Sequence, residues 1–391
     1  MKKNYKTLIH RIICLMGGVI YSTLSYAQND DYHLVLMADD VSYSMNTNEI
    51  DSVVFLTNLP ENNIQLDKYA AEKNLIVKPS DEDCSEIIEQ TLVKYGICLL
   101  EAGDYHIKST GIKMPDSSTL IGAGLKTRII LDGDSDYTPG QCVSMGSYCT
   151  IRDISFWGWQ SEPSGITSTS VQNRHGILWT GEEKVCGNIS NCYFKYFKGG
   201  AITCVNTTSA IRNCLNVSNI FIEYCRCGIY IPSHSEYHRF TNVYASLCAY
   251  GCLNNGGNNM FVNCLFTKNK IGFAIDNSSG DKPNNSHGSA VGCTFNHSDN
   301  NKGIGVKISN TTHGFVFSGC QMFYSSIELN DVYGVCFAHT NFGRNEKVVV
   351  NNGGLVMFDG CMYGSAPVKY IENNNKVKFI NCFTREGDIV E

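Results

Sequence analysis

The densest group of side chains able to move a proton or hold an anion lies in "PSHSEYHR", residues 232 to 239. It contains His234, Glu236, Tyr237, His238 and Arg239. Histidine is the side chain whose ordinary pKa suits proton transfer near neutrality, and a guanidinium beside it can neutralise a carboxylate. One chemistry follows: Arg239 holds an anionic group while His234, His238 or Tyr237 removes a neighbouring proton. A merely solvated loop would have a similar composition, because loops are polar in any case. A second group, Arg174 and His175, precedes the apolar "GILW". It follows the insertion "WQSEPSGITSTSVQNR", with Trp157 and Trp159 at its start. Rings of this size stack on flat ligands or fill a core. Asp276 and Lys282 belong to a long charged loop, residues 276–288.

Other chemistries are poorly served. Acid–base hydrolysis between two carboxylates finds Glu182, Glu183, Glu236, Asp276 and Asp281, but no tight pair. Cys225-x-Cys227 lacks the second half of a zinc site. "LIGAGLKT", Leu120 to Thr127, offers glycines and a Lys-Thr. However, Leu125 separates Gly124 from Lys126, and "RIIL" follows where a phosphate loop needs a helix.

The elements that position these residues begin after residue 27. Lys2, Lys3, Lys6 and Arg11 precede an apolar run from Ile12 to Ile20, and Ser25-Tyr26-Ala27 offers a cleavage site. This order predicts a signal peptide over 1–27 and an exported chain at the periplasm, cell surface or outside the cell. No later run is long enough for a membrane helix, so no membrane insertion is expected. Only 17% of the 391 residues are charged, and the net charge is −6. Loss of the four leader bases takes it to −10, which argues against nucleic acid as a partner. The middle is nevertheless basic, with nine bases against four acids between Lys184 and Lys282.

Ten segments share one pattern. "ISNCYF", "FVNCLF", "AVGCTF", "FSGCQMF", "FDGCMY" and "FINCFT" each run from an apolar strand through Asn or Gly to Cys and an aromatic or polar pair. "VSNIFI", "FTNVYA", "AHTNFG" and "IRDISF" place Ile220, Val243, Thr340 and Ile154 in the cysteine slot. From Cys192 the slot recurs after 28, 23, 21, 29, 27, 20, 21 and 21 residues. A strand-rich unit repeating at this length predicts a solenoid. One inward residue per coil also accounts for many of the 19 cysteines, as buried free thiols. In-register side chains run parallel, which disfavours disulfides between them. Ser80 and Asp83 predict the start of a helix through Tyr95, with Ile87, Ile88, Thr91 and Leu92 at helical spacing. It would plug the open end of the solenoid.

This repeat, with "GICLLEAGDYHIKSTGIKMPDSSTLIGAGLKTRIIL" as its first coil, resembles the right-handed parallel β-helix of the pectate lyase-like superfamily. The resemblance implies an all-β solenoid over 97–391, with a linker and capping helix over 61–96. Residues 28–60 are assigned to a small strand-rich module, of which 31–58 resemble a module of exported gut Bacteroidetes proteins. In this superfamily Asn recurs at a tight turn, which places Asn191, Asn219, Asn242, Asn263 and Asn381 there, with Gly292, Gly319 and Gly360 substituting. Polysaccharide binds along one outer sheet, so the loops 232–239 and 276–288 become walls roughly 10 Å apart, two coils on. The polygalacturonase motifs are absent, as are the calcium-binding aspartates of typical pectate lyases. The reading is therefore an exported monomer acting on a polysaccharide, most naturally a uronate polymer, by β-elimination ahead of hydrolysis. Its site is assigned to His234, Glu236, His238 and Arg239, with Arg174, His175, Trp159, Tyr237, Asp276 and Lys282 binding substrate. Calcium is the one cofactor left open. Two alternatives stand beside it: a non-catalytic glycan-binding protein, and isomerisation of uronates within a polymer.

Overall fold

The computed structural model describes residues 75–390 except 109, 163–167, 181–185, 206–213, 233–234, 277–286, 298–302, 312, 344–347 and 365–376. Ahead of these it describes the strands Arg11–Leu15, Gly18–Tyr26, Tyr32–Ala38 and Val41–Asn46. The chain divides into two units, Met1–Ile64 and Gln65–Glu391. The first four strands form an antiparallel meander, each paired with the next. Its second and third strands lie on either side of the expected cleavage point, so removal of a leader there would take two of the four.

The second unit is a parallel β-helix, as the repeat predicts. One coil shows the plan, with strands Gly187–Ser190, Tyr193–Lys195 and Gly200–Val205. Each strand pairs in parallel with its counterpart one coil on, for example Ile189 with Val217 and Ile202 with Ile229. The third strands make a ten-stranded sheet from Ile112–Lys113 to Val348–Gly353 among the described residues. Ladder pairing of this kind satisfies the backbone groups that burial would otherwise leave orphaned.

The bend between first and second strands is set by one residue with left-handed backbone. Asn191, Asn219, Asn242, Asn263 and Asn381 have φ between 51° and 54° or 55° there, and Gly292, Gly319 and Gly360 about the same. Asn tolerates this region because its short amide bonds locally. The amides also bond from coil to coil. Asn242 Nδ2 donates to Asn219 Oδ1 at 3.1 Å, Asn219 to Asn191 at 3.2 Å, and Asn191 to Asp153 at 3.1 Å. At Gly292 a side chain would also meet Asn263 Oδ1 at 2.8 Å.

The next residue turns inward. Cys192, Ile220, Val243, Cys264, Cys293, Cys320, Thr340, Cys361 and Cys382 are all buried, and none of the described cysteines is in a disulfide. Beside them Phe240 and Phe261 stack at 5.0 Å, Phe317 and Phe337 at 4.8 Å, and Phe337 and Phe358 at 5.1 Å. Same-face neighbours on paired strands are the unit that stabilises a sheet, and the stack through Phe317, Phe337, Phe358 and Phe379 runs across four coils.

The capping helix spans Ser85–Tyr95 and ends at Gly96, which is left-handed. It begins later than the expected Ser80, because Ser80–Asp83 forms a strand against Gly103–Ile107. The N-cap is Cys84, which makes no side-chain capping bond, and Asp83 ahead of it accepts from Ser85 N at 3.1 Å and Ser85 Oγ at 2.6 Å. Ile88, Thr91 and Leu92 are buried, whereas Ile87 is exposed. No described helix is long and apolar enough to cross a membrane.

Candidate functional site

The outer face of the ten-stranded sheet carries one set of coupled polar groups. Register aligns Leu178, Thr203, Tyr230 and Leu253 in one row across four coils. His175 joins this row: its ring stacks on Tyr230 at 6.4 Å and 15°. Gly200 N–H donates to His175 Nδ1 at 3.0 Å, and Thr203 Oγ1 lies 2.9 Å from the same nitrogen. A nitrogen that accepts a backbone N–H carries no proton, so the ring proton sits on Nε2. Burial lowers His175 to about 4, against the opposing bond from Gly200. At neutral pH it is a neutral hydrogen-bond donor. Burial likewise pushes the Tyr230 and Tyr250 phenols up, so both stay protonated.

Buried cations line the corner where second strands lead into this sheet. Lys198 is fully buried, with Nζ 3.0 Å from Asp136 Oδ2 and 3.1 Å from the ring centre of Tyr137. Arg174 is also fully buried and donates to three backbone carbonyls. These are Gly158 O at 2.7 Å, Thr138 O at 2.7 Å and Leu131 O at 2.6 Å. Trp159 lies over its guanidinium at 5.4 Å. Arg226 donates to Ser170 O, and Gln172 N to Lys198 O. Gly158, Ser170 and Gln172, at the described ends of the insertion, are thus held by Arg174, Arg226 and the Lys198 carbonyl, and Trp159 packs over Arg174.

The residues of 232–239 are dispersed rather than gathered. His238 is fully buried: Leu215 N donates to its Nδ1 at 3.1 Å, and its Nε2 lies 2.6 Å from Ser235 Oγ. Both nitrogens are engaged, and burial lowers it to about 3. This makes it a bracket between coils, with no nitrogen free to take a proton. Glu236 is buried and accepts from Asn258 Nδ2 at 3.2 Å. Tyr237 occupies a left-handed turn, φ 65°. Arg239 is exposed, but it opens a first strand, between Asn216 and Met260, rather than facing the third sheet. His234 and Lys282 lie outside the described residues, as do Glu182, Glu183 and Asp281. Asp276 is exposed at the end of its third strand, its backbone N–H bonded to Asn255 Oδ1 at 2.8 Å. Among the described residues no three acidic, His or Cys side chains gather as a metal site.

A second surface was not foreseen. On the outer face of the second strands, Tyr193, Phe221 and Tyr244 are in register. Phe221 stacks on Tyr244 at 4.3 Å and lies 5.8 Å from Tyr193. Beside them Lys195 Nζ sits 4.7 Å from Tyr196, 5.4 Å from Tyr224 and 5.8 Å from Trp157. The signal was present in the repeat, since an aromatic follows the slot at Cys192, Ile220 and Val243 alike.

No protein-family model matches this chain, and no curated protein matches its sequence. Solved structures do resemble it. The Agl-KA catalytic domain is 16% identical with a TM-score of 0.50, over 79% of this chain and 63% of that chain. The catalytic domain of a GH87 alpha-1,3-glucanase in complex with nigerose is 14% identical, TM-score 0.46, over 79% and 64%. The A-module of the Azotobacter vinelandii mannuronan C-5 epimerase AlgE6 is 12% identical, TM-score 0.40, over 78% and 96%. The chain therefore spans less than two thirds of the first two, and what it shares with the Agl-KA catalytic domain is the fold.

Proposed function

We propose that this is an exported carbohydrate-active protein that lays a polysaccharide across the outer face of its ten-stranded sheet. The substrate class is a uronate-containing polymer, cleaved by β-elimination or, failing that, hydrolysis. The observation that carries the reading is the group His175, Thr203 and Tyr230, with the His175 ring stacked on Tyr230 and bonded to Thr203. An aromatic face with neutral donors around it suits a sugar ring, and the basic middle of the chain suits a carboxylate-bearing polymer. The resemblance of the repeat to polysaccharide-acting β-helices points the same way.

A second reading, glycan binding without cleavage, is favoured by the protonation states. His175 has its Nδ1 lone pair occupied, and the Tyr230 and Tyr250 phenols keep their protons. Such groups hold a ligand better than they take a proton from it. One experiment separates the readings. Purified protein is incubated with uronate and neutral polysaccharides, with and without calcium, following ultraviolet absorbance, reducing ends and retention on the immobilised polymer. Absorbance that Tyr230→Ala weakens supports elimination on this face, and reducing ends alone indicate hydrolysis. Retention without either supports the binding reading. No retention and no product with any polymer would overturn both.

A further inference from the structure

Most of the described cysteines are buried inside the coils, but Cys186 and Cys214 are half-buried at one corner. Each ends the connection from a third strand to the next first strand. Register pairs the residues that follow them, Gly187 with Leu215, and Gly187 N donates to Cys214 O at 3.0 Å. The two cysteines are therefore neighbours on adjacent coils, and their thiols are in contact. In-register neighbours lie about 4.8 Å apart, inside the Cα window of a disulfide, roughly 4.4–6.8 Å. The geometric objection to stacked thiols is that side chains on paired strands run parallel. It does not hold at this corner, because Cys186 has left-handed backbone, φ 41°, and precedes its strand.

We propose that Cys186 and Cys214 form a disulfide that staples two adjacent coils by thiol–disulfide exchange with a small-molecule or protein disulfide. The thiolate of one cysteine attacks the oxidant, releasing a thiol, and the second cysteine displaces the remaining half as another thiol. One S–S bond forms, each cysteine gives up a proton, and two electrons pass to the oxidant. Accessibility makes the reaction selective. Cys264, Cys293 and Cys320 also touch one another in series but are buried, where an oxidant has no approach. The third half-buried cysteine, Cys336, is paired in register with Val316 and Met357, so it has no thiol beside it on either coil. This inference stands apart from any polysaccharide activity.

The native full-length chain would be treated with oxidised glutathione, quenched with iodoacetamide, digested without reductant and mapped by mass spectrometry. The expected product is a reductant-sensitive peptide pair joining Cys186 to Cys214, with loss of alkylation at both and a higher thermal midpoint. In Cys214→Ser, Cys186 should accumulate as a lasting glutathione adduct, because the resolving thiol is gone. Cys186→Ser gives the mirror result if the first variant does not fold. Free alkylation of both residues in the oxidised wild type, lasting adducts on both, or linkage of either to another cysteine would overturn the proposal.

Discussion

Acid should unfold this protein through two buried histidines. His175 and His238 are buried and neutral, lowered to about 4 and about 3, whereas an unfolded histidine titrates near 6.5. Between these values the unfolded chain binds protons that the folded chain does not. Stability therefore rises with pH in this window and falls as pH drops below about 6.5, until the folded pKa is reached. From pH 7 to pH 5 each histidine should cost about 2 kcal/mol, and the pair about 4 kcal/mol. Asp83, held at about 2 by bonds from Ser85 and Lys108 that outweigh its burial, adds loss only in stronger acid. The assay is urea unfolding at pH 7 and pH 5 for the wild type and a His175→Gln, His238→Gln variant. Each substitution can lower stability at both pH values, so the quantity that matters is the difference in slope. The wild type should lose about 4 kcal/mol more than the variant over that interval. Equal slopes would refute the neutral, bracketed histidines and return His238 to the list of proton carriers.

Three further outcomes follow from the packing. Asn219→Gly removes two ladder bonds but keeps the left-handed turn, and should cost about 1–2 kcal/mol in chemical denaturation. Asn219→Ala adds the strain of a left-handed alanine, about 1 kcal/mol more; equal losses would mean the turn is not what the ladder protects. Lys198→Met strands the Asp136 carboxylate and should destabilise by about 3 kcal/mol, with the thermal midpoint as readout. Arg174→Lys cannot reach three carbonyls at once and should lose about 2 kcal/mol or more, with earlier proteolysis of the insertion it anchors. An unchanged digestion pattern would separate Arg174 from that role.

The fold was legible because its rules recur once per coil. The left-handed bend admits few residue types, so Asn191, Asn219, Asn242, Asn263 and Asn381 declare it, and Gly292 appears where an amide already fills the space. The inward slot admits a small apolar group, so cysteine repeats there. The start of the helix was misplaced for a local reason. Ser80 and Asp83 look like caps in isolation, but the neighbouring strand Gly103–Ile107 recruits them into a ladder.

The candidate site was legible only in part, with His175 singled out, for the opposite reason: its roles are decided between coils, by partners that share no spacing in the chain. His238 resembles a catalytic base in "SEYHR", yet the backbone N–H of Leu215, 23 residues earlier, fixes its tautomer. His175 is settled by Gly200 and Thr203 on the next coil. Arg174 invites an anion in the sequence, but carbonyls as distant as Leu131 consume its donors. Lys198 gave no signal, because burial of a lysine depends on Asp136 and Tyr137 from an earlier loop. In a solenoid, then, a dense ionisable loop is weak evidence for chemistry, since each of its residues meets a different rung. Stronger evidence is a polar row recurring at coil spacing, such as Thr203 and Tyr230, because register alone brings such residues to one face.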